Sequence, residues 1–458
     1  MLLCFLKEPF LRKNSDLIQG PITPTLLKMA GGMLFGLLAM SAFNAVDTYF
    51  VGQLRSSQLA AMGFTFPVVM ILNSVSLGLG IGLSSTVSRA IGSGNHHKVQ
   101  RLTADGLLLA FLIVIILASI GISTIRPLFS SLGASESTLE LIHSYMIIWF
   151  FGLPFVVIPM VGNNVIRATG DTLTPSMIMI VSVFVNSILD PLFIFGLGPF
   201  PQMGIAGAAL ATVIARFTTF VFSLYILIYR DKLLIFKKVR FKEVCSSWKE
   251  IAFVGIPSAL VQAITPLSLA IITRLLAQYG EAVVAGYGAA SRLEMLILII
   301  PNSLAIVMSP FAGQNWGANN IERIKKAAKV SSIISLSYGV FISLFFLTFA
   351  TPLISLFNNN PLIIGAGASY LKIVGPSYGF LGILLILSQS LNGMNKPLHS
   401  ALISLTKAFI INIPLALLGA SFFQERGVFF ATLITNIVAG IIGIRVLYYI
   451  LNKDFKKI

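Results

Sequence analysis

Twelve apolar stretches, each long enough to cross a bilayer and separated by polar, glycine or proline breaks, constrain this 458-residue chain more than any other feature. A helix needs roughly 20 apolar residues to cross the hydrocarbon of a bilayer. The stretches run at about 26–52, 59–89, 102–124, 139–162, 174–197, 205–229, 251–278, 284–312, 329–352, 362–390, 398–421 and 428–451. Composition excludes a soluble reading. Only 10% of residues are charged and mean hydropathy is +0.91, whereas a soluble domain carries about 25% charged residues. The expected fold class is therefore an all-α membrane protein of twelve transmembrane helices.

The formal net charge of +16 does not imply a nucleic-acid partner, because the basic residues sit in short clusters between apolar segments. With Arg216, Arg292, Lys372, Lys407 and Arg445 set aside as lying within spans, Lys and Arg divide 23 to 4 between the two sides. Positive charge collects on the cytosolic side, so both termini are expected in the cytosol and the chain in the cell inner (plasma) membrane, multi-pass and monomeric. Residues 1–25 read as a cytosolic N-terminal tail and 452–458 as a cytosolic tail. The basic segment 230–250 reads as a cytosolic linker, open to acidic lipid headgroups or simply joining two halves. Cys4 and Cys245 lie on that same side, where a disulfide is not expected. The four histidines (His96, His97, His143 and His399) form no metal or acid–base constellation, and no enzymatic activity is expected.

The chain also repeats itself. Residues 88–95 and 313–320 match in form at a shift of 225, pairing Gly92 with Gly317 and Asn95 with Asn320. Gly170 pairs with Gly393 at a shift of 223, and Gly207, Ala211 and Thr212 pair with Gly427, Ala431 and Thr432 at 220. Six spans per copy is an even number, so both copies keep one orientation and are related by an axis along the membrane normal. The expected organisation is an N-terminal six-helix lobe at 26–229 and a C-terminal six-helix lobe at 251–451, pseudo-symmetric around a central cleft.

Chemistry is sparse at membrane depth. Of 16 acidic residues twelve, Asp171 and Asp231 among them, read as loop residues and Asp105 stands at the start of a span, so only Asp47, Asp190 and Glu294 lie well inside apolar stretches, where an ionised acid costs at least about 2.5–3.5 kcal/mol. Asn186 and Asp190 are four apart and share a helix face, and Thr212 is placed to face the same pocket. Two carboxylates, an amide and a hydroxyl suit a proton, or a sodium ion held by hard oxygens. Glu294, two residues from Arg292, reads as a member of an ion pair or of the cleft wall. Asn163, Asn164, Gln262, Gln389 and Asn392 are polar groups in apolar spans, open either to substrate or to bonding between helices.

Several stretches together resemble the multidrug and toxic compound extrusion (MATE) transporters. They are residues 46–52 (Val-Asp-Thr-Tyr-Phe-Val-Gly), 166–171 (Ile-Arg-Ala-Thr-Gly-Asp), 186–191 (Asn-Ser-Ile-Leu-Asp-Pro), 204–212 and 313–318. The resemblance implies a two-lobed antiporter that exports organic cations or drug-like molecules by rocking alternating access. It implies that Asp47, Asn186, Asp190 and Thr212 form the ion-coupling site of the N-terminal lobe, as in the proton-coupled, DNA-damage-inducible-like branch. No cofactor is implied beyond the coupling proton or sodium ion. Many relatives have a proline early in span 1, where this chain has Gly31-Gly32. A lipid-linked precursor flippase of the same broad superfamily is the alternative, with Arg216, Arg292, Lys372 and Lys407 available inside spans.

Overall fold

The computed structural model describes residues 17–54, 56–234 and 240–455, and among them every regular element is a helix. Six helices precede the linker: α1 (Ile22–Gly52), α2 (Ser56–Gly92), α3 (His96–Ser131), α4 (Glu136–Ala168), α5 (Leu173–Phe195) and α6 (Ile205–Arg230). Six follow it. They are α7 (Phe241–Ala277), α8 (Glu281–Ile297 and Ile299–Gly317, bent by 46°), α9 (Ile321–Ser355), α10 (Pro361–Gly393), and α11 and α12 within Pro397–Lys453. The last run is broken at Phe423 and Gln424, whose backbone angles are not helical, so α11 covers 397–422 and α12 covers 425–453. Each expected span falls on one of these helices.

The helices extend beyond the apolar stretches where polar residues continue them. Asn95 caps α3 by accepting from the Lys98 N–H at 2.9 Å, so α3 begins well before its apolar core. Part of the segment read as a linker is helix: α7 starts at Phe241, with 235–239 outside the described residues. This first part of α7 is fastened to α3. Trp248 Nε1 donates to the Asp105 carbonyl at 2.9 Å, Arg101 pairs with Asp105 and Glu243, and Lys98 pairs with Glu250. Hydropathy marks the hydrocarbon, not the helix ends.

Prolines explain two irregularities. Pro301 has no N–H to give the Ile297 carbonyl and its ring crowds that carbonyl, which places the bend of α8 at Leu298. The freed oxygen of Ile297 accepts from the Tyr338 hydroxyl at 2.9 Å. In α11 a π-helical stretch, Thr406–Asn412, comes just before Pro414.

The chain forms two compact units. The first spans Gly31–Ala259; α4 is its middle helix, packed on α2, α3 and α6, with α5 against α6. The second joins Leu17–Ala30 to the chain from Leu260 onward. Its middle helix is α10, packed on α8, α9 and α12. The pattern is the same with every helix number raised by six. Turn geometry repeats too. Gly94 and Asn319 both have positive φ (73° and 58°), as do Gly170 and Asn395 (94° and 63°), and Gly204 and Gln424 (56° and 53°). The first two pairs share one shift, the same that joins Gly92 to Gly317, and the third has the shift that joins Gly207 to Gly427. Gly170 therefore corresponds in backbone to Asn395, not to Gly393 as the match of residue types suggests.

Two acids read as loop residues are buried instead. Asp171 and Asp231 each meet the buried Arg230 guanidinium, at 3.0 and 2.7 Å. Arg230 also donates to the Thr174 hydroxyl at 2.9 Å, and Asp171 accepts from the Thr174 N–H at 3.0 Å, capping the start of α5. In the second unit Asn315 and Arg323 donate to the Leu17 carbonyl, and Arg323 reaches the Gly20 carbonyl at 2.7 Å. The segment just before α1 is thus docked.

Candidate functional site: a carboxylate pair in the first unit

The site is set by how α1 and α6 lie along α5. A side chain at Gly32 would meet Thr172 Oγ1 at 2.6 Å, and one at Gly36 would meet Ser176 Oγ at 2.5 Å. This small-xxx-small pair lets the two backbones approach closely. A step of one turn along α1 is matched by an equal step in the same direction along α5, so the helices run parallel. Continued along them, that register brings Asp47 level with Asn186 and Ser187. Phe43 and Asp47 lie on the same face of α1 as Gly32 and Gly36, by helical spacing. Helix α6 runs antiparallel to α5. The Ser182 hydroxyl donates to the Ala215 carbonyl at 3.1 Å, and Gly207 abuts the Phe193 carbonyl. This register places Thr212 at the level of Asn186.

Close packing at Gly36 gives a sharp contrast with its neighbour. A Cβ at Gly31 would meet nothing within 4 Å. Gly36→Leu is expected to destabilise the protein by about 1–3 kcal/mol through overpacking and to impair transport. Gly31→Leu should leave both nearly unchanged. Thermal melting of the two detergent-purified variants checks this, and equal melting points would refute the register.

Toward the C-terminal ends of α1 and α5, Asn186 and Asp190 are fully buried, and Asn186 Nδ2 donates to Asp190 Oδ1 at 3.1 Å. The remaining oxygens, Asn186 Oδ1 and Asp190 Oδ2, are buried without a hydrogen-bond partner. Asp47 is half-buried and acts electrostatically on Asp190. Two residues enter that the sequence reading did not place here. Arg216, one turn beyond Thr212 on α6, is the cation acting on Asp47. Its guanidinium stacks 4.6 Å from the Phe43 ring centroid and lies 3.5 Å from Met179 Sδ. Tyr145 of α4 lies in the field of both carboxylates. Two signals pointed to them: Arg216 shares a face with Thr212, and Tyr145 has Tyr370 as its repeat counterpart, at the shift that joins Gly92 to Gly317.

The arrangement fits a small cation. Buried polar atoms normally find partners; two adjacent orphan oxygens beside a second carboxylate offer a seat for a proton on Asp190 Oδ2 or for a sodium ion. Asp47, Asn186, Asp190 and Thr212 would be its oxygen donors. The five residues read as substrate contacts fall in both units: Asn163 and Asn164 in the first, Gln262, Gln389 and Asn392 in the second. Asn164 is engaged within its own helix, donating to the Met160 carbonyl and accepting from Arg167.

The MatE family model matches the chain twice, at residues 33–192 and 257–418. The chain belongs to this family of membrane transporters. The second match covers the region that the internal repeat pairs with the first. A curated FAD transporter of Shewanella oneidensis is 38% identical over 431 residues, covering 94% of this chain and 95% of that protein. The probable multidrug resistance protein YoeA of Bacillus subtilis is 26% identical, covering 89% and 87%. Among solved structures, the Vibrio cholerae MATE transporter VcmN in its bent form aligns with a TM-score of 0.89 at 30% identity, over 96% of this chain and 98% of that one. The chain is a multi-pass membrane transporter for efflux of small molecules, not an enzyme.

Proposed function

We propose that this MATE-family transporter works as an antiporter driven by protons entering through the Asp47–Asp190 site. The buried oxygens of Asn186 and Asp190 that lack partners carry this reading. Protonation of Asp190 turns an orphan acceptor into a donor and removes a negative charge beside Asp47. Loss of the proton restores that charge, which Arg216 then helps to balance through Asp47. The bound proton thus changes how α1, through Asp47 and Phe43, sits on α5 and α6. A change in α1 linked to rocking of the two pseudo-symmetric lobes would alternate access for the exported molecule.

Organic cations and drug-like molecules are the substrates this reading names first. One observation favours a second substrate: the 38% identical relative is a FAD transporter. A dinucleotide is anionic, and Arg216 and Lys407 place cations at membrane depth. Vesicles with a pH gradient and a sodium gradient imposed separately test both points, with ethidium and FAD as alternative cargoes. Uptake driven by the pH gradient alone is expected. Uptake driven by sodium alone would overturn proton coupling, and movement of FAD without ethidium would assign the nucleotide as substrate.

A further inference from the structure

Three arginines that reach between helices are held by oxygen. Arg230 donates to Asp171, Asp231 and Thr174, Arg323 to Asn315 and the Leu17 and Gly20 carbonyls, and Arg167 to Asn164 Oδ1. Arg216 is held differently. Its hydrogen-bond acceptor among the described residues is the Met179 sulfur, 3.5 Å from Nη1. No carboxylate oxygen of the described residues lies within 4.0 Å of its nitrogens. Instead the guanidinium lies over the Phe43 ring, 4.6 Å from the centroid. Phe43 is only 4% exposed, so the pair is enclosed by α1, α5 and α6 and not turned to lipid.

An aromatic face and a polarisable sulfur are the partners that suit a poorly hydrated organic cation. A carboxylate completes the set: Asp47 follows Phe43 by one turn on the same face of α1. A seat for a cation is therefore present, and a side chain of the protein lies in it. The guanidinium suits the role because it is delocalised and weakly hydrated. Its backbone is tied down, since the Ser182 hydroxyl bonds the Ala215 carbonyl just before it. Arg216 keeps part of its surface accessible, so the place is not sealed. A second cation arriving there would meet a ring already covered and a like charge.

We infer that Arg216 is a built-in stand-in for an organic cation and sets the charge selectivity of the first unit: while it lies on Phe43, this seat takes no cationic cargo. Shortening the side chain opens a site for a flat or quaternary organic cation between the Phe43 ring and Asp47. The inference rests on the reading of Asp47 as part of the coupling site, and it narrows the cargo. A molecule that reaches this site in the unaltered protein is neutral or anionic.

The test is equilibrium binding to the full-length transporter in lipid nanodiscs, followed by fluorescence. The probes are ethidium and the uncharged phenylphenanthridine, which has the same fused rings. Arg216→Ala is expected to bind ethidium about tenfold more tightly than the unaltered protein, the size of one desolvated cation–π contact, with no matching gain for the uncharged ring. Phe43→Leu added to Arg216→Ala should cancel the gain. Arg216→Gln, which keeps most of the bulk and loses the charge, should move in the same direction and carries the test if the alanine variant does not fold. Ethidium bound no more tightly by the variants overturns the assignment. An equal gain for the uncharged ring also overturns it, since a void has then merely been filled, and so does a gain that survives Phe43→Leu. Binding needs no ion gradient. A tenfold gain here alongside sodium-driven uptake in the vesicles would keep this role of Arg216 and remove only proton coupling.

Discussion

Asp190→Asn is expected to cut pH-gradient-driven efflux about a hundredfold, equivalent to roughly 2.8 kcal/mol, while leaving a folded, membrane-inserted transporter. The amide oxygen at position 190 still accepts from Asn186 Nδ2, as Asp190 Oδ1 does at 3.1 Å, and the volume is unchanged. What disappears is the oxygen that takes the proton. Asp47→Asn should have a comparable effect and should also free Arg216 from its carboxylate. Exchange of labelled substrate across vesicles without a gradient ought to survive in both variants, since it needs binding but no net coupling. Efflux at the unaltered rate in Asp190→Asn would remove this site from the mechanism.

The second large effect concerns stability. Arg230→Ala is expected to destabilise the first unit by about 3–5 kcal/mol, the range for removing one partner of a buried charge pair. Arg230 is 5% exposed, and Asp171 and Asp231 are each 3% exposed at the side chain. Both carboxylates lose the guanidinium that holds them, and the start of α5 loses its link through Thr174 to the end of α6. Denaturant unfolding of the purified protein measures the loss. The double replacement Asp171→Asn with Asp231→Asn, added to Arg230→Ala, should recover part of it, because no uncompensated charge then remains. A melting point unmoved by Arg230→Ala would show that the cluster is better solvated than its burial implies.

Much of this was legible in the sequence because lipid imposes a simple rule on it. Apolar length located all twelve spans, and the scarcity of acids singled out Asp47 and Asp190. Even the level of Thr212 with Asn186 follows from an antiparallel pair. Other features depend on partners distant in sequence. Asp171 and Asp231 read as loop acids, since nothing local shows that Arg230 reaches both. Arg216 was visible as a charge within a span, but its closeness to Asp47 comes from the register between α1 and α5. Glu294 was noticed beside Arg292, while the hydroxyl that donates to it at 2.7 Å, that of Tyr370, lies much further along the chain, in α10. The bend of α8 was encoded by Pro301 yet hidden inside an apolar run.

The positive-φ turns carry an unequal cost in the two halves. At three equivalent places the first lobe has glycine, while the second has Asn319, Asn395 and Gln424. Asparagine tolerates the left-handed region, but Gln424 sits at φ 53°, ψ −137°, a region open almost only to glycine and worth of order 1–3 kcal/mol of strain for other residues. At these three turns the two halves share backbone shape where they do not share residue identity. The second copy carries a local debt at Gln424 that the first, with Gly204, does not. The halves thus differ in the chemistry of their residues, while the chain turns alike between helices at these three places.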